Sequence, residues 1–277
     1  MSVAIIGQEM LKTALRVLIE GNNLPRLLIL VGVRGSGKGQ MCQWIGEQMG
    51  IDVIEHESKA EAVRDVVERS YKTSARILHV FRDIEDMSNA SKNALLKVIE
   101  EPPNGAYFIM TSKDISNQAL ATIRSRGTVF YMDAYTYPQL SQYAKEHYPQ
   151  TYTDLGKVVG LCETPYEVDL LMKYGVDEFF EFVDKVIDNI AVVSGSNSFK
   201  IGNKISFKAD EKEQKYDLAL FLKMFMKKCS DEMYTDPLRF AEGVKITSKY
   251  LQELSVASVN KQYVFDSWLL DIRKAWM

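Results

Sequence analysis

The residues best suited to chemistry form a glycine-rich stretch from Gly32 to Gly39, with the sequence G-V-R-G-S-G-K-G. The stretch follows the apolar run Leu27–Val31 and precedes a helical pattern from Gln40 to Met49. Glycines let backbone N–H groups turn toward an anion, and a helix N-terminus adds positive potential. The lysine can reach the outer phosphates of a nucleotide. The candidate phosphate-binding residues of this loop are Gly32, Arg34, Gly35, Ser36, Gly37, Lys38 and Gly39.

The last position of this loop departs from the usual phosphate-loop pattern. That pattern, G-x-x-x-x-G-K-[ST], ends in a hydroxyl that holds Mg²⁺, whereas Gly39 stands here. Backbone N–H groups and Lys38 can still meet phosphate oxygens, so ATP or ADP binding stays an open expectation. No metal site is predicted from the sequence.

Composition limits the classes of protein that the chain can be. It has 277 residues, 46% of them hydrophobic, which suits a globular protein of two or three domains. A net charge of −3 does not indicate general nucleic-acid binding. The cysteines Cys42, Cys162 and Cys229 lie far apart without a C-x-x-C pair, so neither zinc nor disulfides are expected. No apolar run reaches the ~20 residues of a membrane helix, and we expect a cytoplasmic protein.

Apolar runs and helical patterns alternate through residues 1–135. A first helix is predicted with Met10, Leu11, Leu15, Leu18 and Ile19 on one face. Strands are predicted at 27–31, 52–57, 77–81, 106–110 and 128–132, and helices at 40–49, 59–74, 88–99 and 120–124, the third capped by Ser88. This alternation predicts an α/β domain with a parallel sheet, whose ligands bind at the carboxyl ends of the strands.

The remainder of the chain reads as helical. Short helices with glycine and proline punctuation are predicted over 136–176, and longer ones over 177–277, interrupted by a loop at 194–203. We therefore predict a small helical domain followed by an all-helical C-terminal domain.

Several motifs occur in an order that resembles bacterial clamp-loader ATPases of DNA polymerase III, which are AAA+ proteins. The motifs are Ile5–Gln8, Asn23–Pro25, Gly32–Lys38, Asn93–Pro103 (N-A-L-L-K-V-I-E-E-P-P) and Thr122–Arg126. The resemblance implies an AAA+ domain over 1–135, a helical lid over 136–176 and a collar over 177–277. It also implies a five-membered ring that places a sliding clamp on primed DNA. Its expected partners are the other loader subunits (gamma/tau and delta), the clamp, and DNA through the assembled complex.

The resemblance assigns roles to two further residues. Arg126 falls at the arginine-finger position, from which a guanidinium reaches the γ-phosphate held by a neighbouring subunit. Ser112 falls at the sensor position that orients water or the γ-phosphate. Two plainer interpretations stay open: an exposed arginine in a local salt bridge, and a serine that satisfies backbone groups at a strand end.

Other positions depart from the hydrolytic pattern. Arg82 and Asp83 stand where an aspartate and a glutamate would serve the metal and water, and Glu167 replaces an arginine of the lid. Together with Gly39, these changes predict a subunit that does not hydrolyse ATP itself but donates Arg126 to a neighbour. The alternatives are a motor-type ATPase of the same family with other metal ligands, a P-loop kinase or transferase, and an interaction protein that reuses the scaffold.

Several single residues are assigned no chemistry. Cys42 is interpreted as a packing residue rather than a nucleophile, and Glu85 and Asp86 as surface charges. The three histidines, His56, His79 and His147, are interpreted as scattered structural residues without partners. Trp268 and Trp276 are expected in a core or a subunit interface.

Overall fold

The computed structural model describes two compact units. The first unit comprises residues up to 139 together with residues 164–166. The second unit comprises residues 140–163 together with residues 167–277. The described residues are 5–56, 63, 75–116, 120–149, 155–191, 201–207, 215–255 and 259–277. Most of the predicted helix over 59–74 and most of the loop over 194–203 lie outside them. The predicted domain boundaries after residues 135 and 176 remain a prediction.

The first unit is built on a five-stranded parallel sheet, as the sequence predicted. Its strands are β1 (Leu27–Val31), β2 (Asp52–His56), β3 (Ile77–Phe81), β4 (Ala106–Ser112) and β5 (Thr128–Tyr131). Their order across the sheet is β2-β3-β4-β1-β5. Strand β1 is buried along its whole length and pairs with both β4 and β5. The carboxyl ends of the strands therefore lie side by side, with the glycine-rich loop in their midst.

Helices of this unit begin and end close to the predicted residues. They are α1 (Glu9–Glu20), α2 (Lys38–Met49), α3 (Asn89–Glu100) and α4 (Ala121–Arg124), with a 3₁₀ turn at Ile84–Asp86. The predicted cap is confirmed, since Ser88 Oγ accepts a hydrogen bond from the N–H of Ser91 at 3.1 Å. One helix-face prediction is wrong: Met10 is 82% exposed, whereas Leu11 and Leu15 are buried.

The two faces of the sheet each carry a hydrophobic cluster. Leu27, Ile29 and Val31 of β1 pack in one cluster, together with residues of α3 and α4. The intervening residues Leu28 and Leu30 pack in the other, with residues of α1 and α2. Side chains alternate between the two faces of a strand, so β1 supplies both clusters and is fixed from both sides. This burial holds the loop that follows β1 in place.

The chain beyond residue 136 is mainly helical, as predicted. Its helices are α5 (Tyr137–His147), α6 (Leu155–Val159), α7 (Pro165–Tyr174), α8 (Val176–Asn189), α9 (Leu218–Asp231), α10 (Pro237–Ser255) and α11 (Lys261–Trp276). A short parallel pair of strands, β6 (Ile205–Ser206) and β7 (Tyr216–Asp217), was not predicted. Two residues per strand leave no periodicity to detect. No described helix combines the length and apolarity needed to cross a bilayer.

Aromatic side chains form much of the core of the second unit. Trp268 is fully buried, and its indole N–H donates to Thr247 Oγ1 at 3.0 Å. It meets Phe221 and Phe225 edge-on, with ring centroids 5.4 and 4.9 Å away. Trp276 is also buried, so the core role expected for both tryptophans is confirmed.

Replacing Gly46 of α2 by alanine should destabilise the first unit. The added Cβ would overlap Val53 Cγ2 and approach the carbonyl oxygen of Ile51 at 3.2 Å. Such overpacking costs about 1–3 kcal/mol, more than the ~1 kcal/mol that alanine gains in helix propensity. Urea unfolding measures the difference. Gly39→Ala, in the same helix, is the matched control and should change the free energy of unfolding by less than about 1 kcal/mol, because a Cβ there would meet only the far end of the long Arg82 side chain and no backbone. Equal stability of Gly46→Ala and the parent chain would contradict this packing.

Candidate functional site

The candidate site lies where three neighbouring strands end. The glycine-rich loop follows β1, Arg82 and Asp83 follow β3, and Ser112 is the last residue of β4. The register places Val31 beside Ser112. The N–H of Gly32 then donates to the Ser112 carbonyl at 3.0 Å, which extends the pairing one residue into the loop. The sheet thus brings the predicted phosphate loop and the predicted sensor serine together.

Glycine is required at the tip of the loop. Gly35 has φ +82° and Gly37, the N-cap of α2, has φ +86°, a conformation that L side chains rarely adopt. A Cβ on Gly35 would also overlap the Cβ of Tyr166. Within the described residues, the buried Ser36 Oγ has no hydrogen-bond partner, while the Ser36 carbonyl accepts from Tyr135 Oη at 3.1 Å.

Lys38 is folded back onto its own loop. Its ammonium donates to the carbonyl oxygens of Gly32 at 2.6 Å and Val33 at 3.0 Å. Burial lowers the pKa of Lys38, and the carboxylates of Asp83 and Glu85 partly oppose that shift. The ammonium group of Lys38 therefore lies at the loop, and two of its three N–H donors are bound to loop carbonyls.

The loop tip is covered by an arginine and a tyrosine. Arg34 Nη2 donates to Tyr166 Oη at 2.8 Å, and its guanidinium carbon lies 4.8 Å from the Tyr166 ring centroid. Thr164 packs beside them, since its Oγ1 would lie 2.8 Å from a Cβ on Gly35. Arg34, proposed from the sequence as a phosphate contact, is thus held by a side chain that the sequence did not single out.

Arg82 occupies the space beside Gly39. A Cβ at Gly39 would lie only 2.7 Å from Arg82 Nη2, so the guanidinium stands where the side chain of a serine or threonine would begin. The same Nη2 donates to Glu55 Oε1 at 2.6 Å, which anchors it from β2. A cation at this place repels Mg²⁺. Together with the missing hydroxyl, it gives a set of groups that does not fit a magnesium ion.

Glu85 holds the predicted sensor serine. The side chain of Glu85 is only 6% exposed, so its interpretation as a surface charge is wrong. Its Oε2 lies 2.8 Å from Ser112 Oγ, and its Oε1 accepts from the N–H of Lys113 at 3.1 Å. The fully buried Ser112 also lies 2.7 Å from the carbonyl of Asp114. Its single hydroxyl proton is therefore directed to protein acceptors.

Two other predicted positions have local structural contacts. Asp83 adopts φ +49°, and its N–H donates to Thr111 Oγ1 at 3.1 Å. Glu167 belongs to the second unit, where Oε1 lies 2.8 Å from Lys223 Nζ and Oε2 accepts from the N–H of Glu163 at 2.8 Å. Lys223 also pairs with Glu163. The carboxylate of Glu167 is thus bound by Lys223 and by a backbone N–H that lies just before the start of α7.

Arg126 lies just beyond α4 and pairs with the end of α3. Its Nη2 lies 2.6 Å from Glu100 Oε1, and its Nε donates to the same oxygen at 3.0 Å. Nη1 donates to the Thr122 carbonyl at 2.8 Å. The Arg126 side chain is 36% exposed, so the guanidinium is fixed in direction and still reachable from outside.

Two of the histidines form a pair, which corrects their interpretation as residues without partners. His56 Nε2 and His79 Nδ1 are 2.9 Å apart, and the rings stack. Burial, followed by the charge on His56, lowers the pKa of His79 to about 4. By contrast, Cys42 is a packing residue as expected, because burial raises the pKa of its thiol to about 12.

Sequence reasoning missed the groups that bind the predicted residues. Glu55, Glu85, Glu100 and Tyr166 lie 27, 27, 26 and 132 positions from their respective partners. Only the order of the parallel strands could have suggested the contacts that Glu55 and Glu85 make. Among the described residues, no group of three or more His, Cys, Asp or Glu side chains could hold a metal ion.

Comparisons with known proteins agree with the motif order. Residues 50–136 match the family described as DNA polymerase III, delta subunit. The tau/gamma subunit of DNA polymerase III from Haemophilus influenzae is 28% identical over 170 residues, covering 50% of this chain and 25% of that protein. The gamma subunit from Buchnera aphidicola subsp. Schizaphis graminum is 32% identical over 96 residues, covering 32% and 26%. The chain thus spans about a quarter of the length of these curated relatives.

Solved structures show the fold. A gamma-subunit-related protein of DNA polymerase III from Thermotoga maritima superposes with a TM-score of 0.56 at 15% identity, covering 96% of this chain and 99% of that one. The RuvB Holliday junction branch migration motor of the same organism gives 0.54 at 16% identity, covering 96% and 87%. The chain therefore shares the fold of these two proteins, with a five-stranded parallel sheet flanked by helices in the first unit and a mainly helical part after it. The family match over residues 50–136 and the motif order are both similar to subunits of the DNA polymerase III clamp loader.

The buried histidine pair makes stability depend on pH. Because the pKa of His79 falls from 6.5 to about 4 on folding, the unfolded chain binds more protons between these values. The free energy of unfolding should then fall as pH drops from 6.5 toward 4, by up to about 1.4 kcal/mol per pH unit from this residue. Urea unfolding at several pH values should show a smaller slope for His79→Phe. His147→Gln, at an exposed position, is the control and should keep the parent slope. An unchanged slope in His79→Phe would contradict this assignment.

Proposed function

We propose that this chain is a delta-prime-like subunit of a DNA polymerase III clamp loader. It does not hydrolyse ATP in its own nucleotide site. It donates Arg126 to the site of an adjacent gamma/tau-type ATPase, while the assembled complex, which also contains delta, loads the sliding clamp onto primed DNA. The family match and the relatives support the loader role, and the geometry at Gly39 and Arg126 supports the division of labour.

The observation that carries the proposal is the position of the Arg82 guanidinium. It fills the space where a phosphate loop would place its magnesium-binding hydroxyl, and Glu55 holds it there. Phosphoryl transfer depends on the metal to neutralise charge that develops on the β- and γ-phosphates. A fixed guanidinium brings positive charge but cannot coordinate both oxygens and water as the ion does. The site therefore supports nucleotide contact at most.

The neighbouring groups support the same interpretation. Lys38 binds carbonyls of its own loop, and Ser112 points its hydroxyl at Glu85 or the Asp114 carbonyl. Engaging a γ-phosphate would require both side chains to leave these partners. Each exchange costs part of the binding free energy that a preformed site would keep.

Arg126 has the features that a finger acting on another subunit needs. Its side chain is more than a third exposed, and contacts with Glu100 and Thr122 limit the rotation of the guanidinium. A positioned guanidinium stabilises the negative charge of the transition state without reorganising at the moment of reaction. Such a residue contributes nothing to its own chain's site and can still control the rate of a neighbour.

The C-terminal helix offers a surface for assembly. Tyr263 and Leu270 of α11 are spaced by seven residues, and these two residues are 69% and 64% exposed. Seven residues are close to two helical turns, so these side chains lie along one face of the helix. Exposed apolar side chains in such a row are typical of helix-to-helix interfaces. We propose that this face contacts other loader subunits in a collar.

A second candidate is a motor-type, gamma/tau-like loader ATPase. The names of several curated relatives favour it, because these relatives are tau and gamma subunits. It would require Asp83 or Glu85 to replace the missing metal ligands. The two candidates differ in whether Mg²⁺ strengthens ATP binding by this chain.

Arg126→Ala should lower DNA-stimulated ATP hydrolysis by a reconstituted clamp loader at least tenfold, given the ~10³–10⁵-fold effects of arginine fingers. The measurement is steady-state phosphate release with clamp and primed DNA present. Arg124→Ala is the matched control, since Arg124 is an exposed arginine of the same segment that donates to the Ile115 carbonyl. Unchanged hydrolysis by a fully assembled Arg126→Ala complex would rule out the finger role.

A further inference from the structure

We infer that Glu100 is a positioning residue for Arg126: its carboxylate orients the guanidinium so that the outer edge of that group faces the neighbouring subunit. The inference rests on the finger role proposed above. It gives a function to the first acidic residue of the E-E-P-P motif, which the sequence singled out but the proposed function did not use.

The contact between the two side chains is side-on. Nε and Nη2 of Arg126 both meet Glu100 Oε1, at 3.0 and 2.6 Å. The Thr122 carbonyl accepts a hydrogen bond from Nη1 at 2.8 Å. These three contacts fix both the position of the guanidinium and the rotation of its plane.

The side-on contact leaves the terminal edge of the guanidinium for a phosphate. An arginine has five N–H donors, of which Glu100 takes two and Thr122 takes one. The two remaining hydrogens belong to Nη1 and Nη2, and among the described residues their one further contact is long, 3.5 Å from Nη1 to Ser125 Oγ. One hydrogen on each terminal nitrogen is the arrangement that binds a phosphate through two oxygens.

The place of Glu100 in its helix favours this role over a helix-stabilising one. Glu100 is the last residue of α3, and the carboxyl end of a helix carries partial negative charge. A glutamate there is electrostatically unfavourable for the helix unless a cation compensates it. Arg126 supplies that cation, so the pair offsets the local repulsion and also orients the arginine.

A double-mutant cycle in the reconstituted loader tests the inference. With Glu100→Ala, the kcat of DNA-stimulated ATP hydrolysis should fall roughly tenfold, because a small misplacement of a catalytic group has a large cost in rate. The KM for ATP should stay within about twofold, because the finger acts in the transition state. Glu100→Gln keeps an acceptor at Oε1 and should fall between the parent and Glu100→Ala. In an Arg126→Ala background, Glu100→Ala should have no further effect.

The outcomes separate this inference from the proposed function. If Arg126→Ala slows the complex and Glu100→Ala does not, or if Glu100→Ala speeds it, the positioning role is wrong while the finger role stands. If Arg126→Ala itself has no effect, the proposed function fails first. A further loss on adding Glu100→Ala to Arg126→Ala would mean that the glutamate acts through something other than Arg126. Thermal unfolding of each variant chain should match the parent, since an exposed ion pair contributes little to stability.

Discussion

The parallel register around β1 is the constraint on which the rest of the first unit depends. Because β1 is buried on both faces between β4 and β5, its carboxyl end is fixed relative to Ser112. The glycine-rich loop, the arginine that follows β3 and the serine that ends β4 therefore share one edge of the sheet. This is the edge at which parallel α/β sheets bind their ligands.

Charge decides what that edge can do. Arg82 places a guanidinium beside Gly39, and Glu55 on the next strand holds it. The carboxylate of Glu85 is turned toward Ser112 and the Lys113 N–H rather than toward a metal position. We interpret these pairings as a compensated network that leaves little for Mg²⁺ to bind. In the function that we propose, the chemistry belongs to Arg126, whose side chain is 36% exposed.

The sequence was sufficient for features with a local signal. Five apolar runs predicted the strands, and Ser88 and the glycine-rich loop predicted two helix starts. Contacts that depend on the register between strands could not be predicted from the sequence. An example is the diagonal pair of His56 and His79 on adjacent strands. The burial of Glu85 was missed because its helical turn carries two acids, and only the fold shows which one turns inward. The exposure of Met10 was missed because an apolar residue at the edge of the apolar face of a helix can be either buried or exposed.

Whether Mg²⁺ strengthens ATP binding to the purified chain tests the central claim most directly. Titration calorimetry with ATP, in excess Mg²⁺ and in excess chelator, gives the two affinities. Our account predicts that Mg²⁺ does not strengthen ATP binding, because Arg82 stands at the place of the metal-binding hydroxyl. A clear gain in affinity with Mg²⁺ that disappears in Lys38→Ala would contradict the account and favour the motor-type candidate.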